Sequence, residues 1–113
     1  MAREINNREY IIDSSCGLGI ISKNLGEYAR AEEYYCQAVA LAREIHASSL
    51  LCHALLGLAE VYLCSHCEDK AGGLMREILI LAQELQVPEL TSSAQKLSSK
   101  LEELRSRSTQ GPA

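Results

Sequence analysis

Tryptophan and phenylalanine are absent from this chain of 113 residues, and its only aromatics are five tyrosines. A core without those rings has to be assembled from Leu, Ile, Ala and Tyr, which favours helices over strands. An excess of basic residues is also missing: 11 Lys and Arg stand against 15 Asp and Glu, for a net charge of −4. Generic attraction to nucleic acid or to an anionic membrane surface needs a basic face, and only Arg105 and Arg107 near the C-terminus sit close together. Aliphatic runs are short, reaching five residues at Ile78–Ala82, whereas a bilayer span takes roughly 20. The opening "MAREINNREY" lacks the apolar centre of a secretory signal. Five cysteines, an odd number scattered among helix formers, read as reduced and mostly buried thiols in a cytoplasmic or nuclear protein.

What the chain does contain is a phrase that returns. Ala2-Arg3-Glu4-Ile5 recurs as Ala42-Arg43-Glu44-Ile45 and again, loosely, as Ala82-Gln83-Glu84-Leu85. The apolar spacing predicts five helices, at about 8–24, 28–46, 50–64, 70–85 and from Pro88 onward. In the first, Cys16, Leu18, Gly19, Ile20 and Ile21 supply an apolar, small-residue face. Gly26 is suited to the left-handed residue that ends it. The second places Ala31, Tyr34 or Tyr35, Ala38, Leu41 or Ala42 and Ile45 on one side. Ser48 and Ser49 offer hydroxyls to cap the third, whose apolar side holds Leu51, Leu55, Leu58, Ala59 and Tyr62. The fourth runs through Gly72 and Gly73, each costing about 1 kcal/mol against alanine. Pro88 fits the first position of the fifth, which carries Leu90, Ala94, Leu97, Leu101 and Leu104 as a single stripe. Residues 106–113 are polar and read as a disordered tail. The expected class is all-α, as paired helices repeating every forty residues.

These residues resemble the tetratricopeptide repeat. Leu18-Gly19, Gly26-Glu27-Tyr28, Ala31, Tyr35 and Ala38 match its pattern at the family's spacing. Leu58-Ala59, Tyr62, Ala71 and Met75 give a weaker second unit, in which His66 replaces the turn glycine and Glu68 the turn tyrosine. The long period is similar to that of kinesin light chains and G-protein signalling modulators. The resemblance implies a short right-handed solenoid: repeats at 8–47 and 48–87, a capping helix at 88–105, and 1–7 as the end of a preceding repeat helix. Gly19 and Ala31 would be small because two helices cross there, while Tyr35 and Tyr62 would fill the space between successive helices. The N-terminal end would expose Ile11 and Ile12.

Tetratricopeptide repeats bind protein segments on the concave face formed by the first helix of each pair. Carried over, that face holds Asp13, Cys16, Ile20, Lys23 and Asn24 from the first unit and His53, Leu56, Glu60, Leu63 and Cys64 from the second. Ile20, Leu56 and Leu63 would anchor an extended or helical peptide. Lys23 and Asn24 are offset by Asp13 and Glu60, so the carboxylate clamp of some family members is incomplete. The implied function is a protein-interaction scaffold without catalysis or cofactor. The alternative is a capping or homo-oligomerising segment joined through the N-terminal face. Cys64-Ser65-His66-Cys67 has the spacing of half a zinc site. Cys52 and His53 lie about 18 Å away along their helix, which leaves His46 or Cys36 on a neighbouring helix as the further ligands such a site would need, and a cysteine at a helix C-terminus gains no thiolate character. A turn holding incidental thiols is the plainer reading, and His53 stands without a nucleophile or an orienting carboxylate. Gly17-Leu18-Gly19 follows no strand and is no nucleotide loop.

Overall fold

The computed structural model describes the backbone of residues 2–109 and the side chains of 7–106. The chain is all-α: α1 (Ala2–Asn24), α2 (Tyr28–Glu44), α3 (Ser48–Cys64), α4 (Glu68–Leu85) and α5 (Pro88–Thr109). Each helix packs against the next, and α3 also meets both α1 and α5. The thickness of 19 Å is that of two helices. One layer consists of α1, α3 and α5, and the other of α2 and α4. Neighbours touch directly within the first layer, whereas α2 and α4 stand apart and are linked by Arg43, whose two guanidinium nitrogens donate to Glu77 at 2.7 and 2.8 Å. The layer of α1, α3 and α5 is therefore the more closely packed of the two.

The repeat is written most plainly in the turns. Positive φ occurs at Gly26 (81°), His46 (55°), His66 (62°) and Gln86 (54°), one left-handed residue every twenty positions. The N–H of each donates to the carbonyl three residues back: Lys23, Arg43, Leu63 and Gln83. In three turns the next N–H reaches five back, Glu27 to Ser22, Ala47 to Ala42 and Cys67 to Tyr62, at 2.7–2.9 Å. This is the Schellman closure, which satisfies the last carbonyls of a helix. Three of the four residues accept left-handed backbone without being glycine. The starts of α2, α3 and α4 use no side-chain cap: Ala47, not a serine hydroxyl, stands at the N-cap of α3.

Several bounds differ from those expected. Residues 2–7 do not form the end of a separate helix but the first turns of α1, because no glycine or proline interrupts the stretch. The first half of the expected tail continues α5 to Thr109, and 110–113 lie outside the described residues. In α1 the buried side is Ile12, Ser15, Gly19 and Ser22, while Leu18, Ile20 and Ile21 point outward. Ile12 is fully buried rather than exposed, and only its neighbour Ile11 faces solvent. The small serines and Gly19 bring α1 close to α2, and that close approach fixes which way α1 turns.

The second helix resolves the open choices: Ala31, Tyr35, Ala38 and Ala42 are buried. On α3, enclosed by four other helices, burial extends beyond one stripe to Cys52, Ala54, Leu56, Val61 and Leu63. Leu90, Ala94, Leu97 and Leu101 bury the α5 stripe and Leu104 is half-buried. Tyr35 crosses from α2 between α1 and α3. A Cβ on Gly19 would lie 2.7 Å from its ring, and one on Gly57 would overlap it. Both glycines are thus required by close approach to one side chain.

Candidate functional site

The layer of α1, α3 and α5 holds an open cavity of about 350 Å³ lined by residues of all three of its helices. Lys23 comes from the last turn of α1, Glu60, Leu63 and Cys64 from the end of α3, and Ser93, Lys96, Leu97 and Lys100 from the middle of α5. Lys23 Nζ is 2.9 Å from Glu60 Oε2, so one carboxylate and one ammonium are already matched. Lys96 and Lys100, one turn apart on α5, have no ion-pair partner among the described residues. Leu63 and Leu97, both buried, form an apolar floor beneath the charged rim. The cavity thus combines a net positive rim with a nonpolar base.

Of the residues expected on the concave face, the structure brings Lys23, Glu60, Leu63 and Cys64 into this cavity. Leu56 and Leu63 are 8% and 5% exposed, so they belong to the chain's own core and offer little side chain to a partner. Ile20, at 47%, is the one apolar anchor of the three that stands free. Asp13, Asn24 and His53 are exposed but lie outside the cavity lining. Cys16 is half-buried, and burial, with Asp13 adding to it, pushes its thiol up to about 11, which keeps it protonated. Tyr35 is pushed up to about 12 by burial and by the proximity of Cys16 and Glu60. Its ring lies against Gly19 of α1 and Gly57 of α3 and so spans the two layers.

Ser93, Lys96 and Lys100 escape the sequence reading. The stripe Leu90–Ala94–Leu97–Leu101 reads as a cap, and the polar residues between its members are given no role. The signal for the lysines is their i, i+4 spacing on the side of α5 flanking that stripe. It acquires meaning only once α5 is seen to contact α3.

Cys64 is exposed at the end of α3, His66 is the left-handed turn residue, and Cys67 precedes α4. Among the described residues no group of three or more His, Cys, Asp or Glu is placed to hold a metal ion. No described helix is long and apolar enough to cross a membrane. Compared with protein-family models and with curated proteins, the chain matches none.

Proposed function

We propose that this chain is a tetratricopeptide-like interaction module whose concave face holds an acidic segment of a partner protein. The observation that carries the reading is the cavity framed by Lys23, Lys96 and Lys100 over Leu63 and Leu97, with Glu60 as the single opposing charge. Carboxylates of an extended segment pair with Lys96 and Lys100, and an apolar side chain between them rests on the leucine floor. The forty-residue recurrence of helices and turns supports the solenoid reading, in which further concave helices extend the groove. Such a role needs a cytoplasmic or nuclear setting where the exposed Cys36 and Cys64 stay reduced.

The test is fluorescence anisotropy with a labelled peptide that alternates Asp or Glu with Leu. Lys96→Glu combined with Lys100→Glu should weaken binding by about 10-fold or more, since each exposed pair contributes up to about 1 kcal/mol. Affinity should also fall as salt is raised. Equal binding by the variant, or equal binding of a lysine-for-acid control peptide, would remove the groove from the account.

A further inference from the structure

Apart from Ile80, the large apolar side chains exposed among the described residues all belong to α1 or to the residue after it: Tyr10, Ile11, Leu18, Ile20, Ile21 and Leu25. Ile11, Ser14, Leu18, Ile21 and Leu25 recur at intervals of 3, 4, 3 and 4, the spacing of a helix–helix seam. Flanked by Tyr10 and Gly17, this seam carries no charged residue from Asn7 to Leu25, and a Cβ on Gly17 would meet nothing. The opposite side of α1 is already packed on α2 and α3. An apolar face left over on a helix whose other side is already packed calls for a second cover.

The geometry points to a second copy of this chain as the cover, with two α1 helices packed antiparallel across a two-fold axis near Gly17. In that register Ile11 meets Ile21 of the second copy, Leu18 settles over the small Ser14, and Gly17 faces Gly17, so the helices approach closely. A parallel pairing would set Ser14 against Ser14 and leave a gap. Head-to-tail stacking has no apolar counterpart, because the exposed described residues of α5 beyond Pro88 are all polar. The symmetric arrangement is therefore favoured. The uncharged face sets no like charges against each other across the axis. A seam of about 19 residues is roughly 28 Å long and about 10 Å wide, so covering it on both copies removes on the order of 600 Å² in total. That is below the area of stable specific interfaces, so the dimer is a weak one that dissociates on dilution. This dimer does not depend on the groove, which lies on a different face.

Sedimentation equilibrium of the full chain tests it. The wild-type mass should rise from 12.4 kDa toward twice that value as concentration is raised from about 1 µM to about 200 µM. Leu18→Lys and, separately, Leu25→Lys should weaken the dimer by roughly 100-fold, while circular dichroism stays helical because both positions are exposed. Ile80→Lys and Lys96→Glu should leave the mass curve unchanged. A wild type that stays at 12.4 kDa would overturn the proposal and assign the face to another occupant. Dimerisation undiminished in both lysine variants of the seam, or lost in Ile80→Lys, would overturn it equally.

Discussion

The ring of Tyr35 is wedged between Gly19 of α1 and Gly57 of α3, and neither glycine has room for a Cβ beside it. One side chain of α2 thereby sets the spacing of α1 and α3. Gly73, in α4, has open space where its Cβ would be, which makes it a matched control.

Gly57→Ala should destabilise the chain by about 1–2 kcal/mol, overpacking outweighing the helical preference of alanine. Gly73→Ala should stabilise it by up to about 1 kcal/mol. Urea unfolding of the two variants measures opposite shifts in midpoint. Shifts of the same sign would show that Tyr35 yields without cost.

The turns carry a second expectation. His66 holds φ at 62° without being glycine, so His66→Gly should gain about 1 kcal/mol by relieving left-handed strain. Gly26→Ala should lose a similar amount at φ 81°. Thermal unfolding of both reads the two signs directly.

The turns also show what was legible in the sequence. Gly26 announces a helix end, but His46, His66 and Gln86 do not, because the hydrogen bonds back into the helix impose the conformation and the residue does not. The stripe of α5 was legible because one of its sides is polar throughout. The orientation of α1 was not, since its larger apolar residues Ile11, Leu18, Ile20 and Ile21 face outward and the packed side falls to Ile12 and the small residues Ser15, Gly19 and Ser22. Of the residues lining the cavity, Lys23 and Glu60 were named from the resemblance, whereas Lys96 and Lys100 depend on α5 packing beside α3.

Alkaline pH should destabilise the fold. The Cys16 thiol is raised from 9.0 to about 11 and the Tyr35 phenol from 10.0 to about 12. Both are acids whose folded values exceed their unfolded ones, so the unfolded chain binds fewer protons between them. Their contribution is complete below pH 9 and is lost as pH rises toward 12. Tyr35→Phe should flatten the loss between pH 10 and 12, as denaturant midpoints across that range will show. An unchanged slope would place the phenol in solvent.

The central claim is that the α1, α3 and α5 layer is the binding face. Backbone amide shifts recorded while an Asp/Glu–Leu peptide is titrated into the full chain test it most directly. The account expects the largest changes around Lys23, Glu60, Cys64, Lys96 and Lys100, with α2 and the outer face of α4 silent. Changes centred on α2 or α4, or none at millimolar peptide, would contradict it.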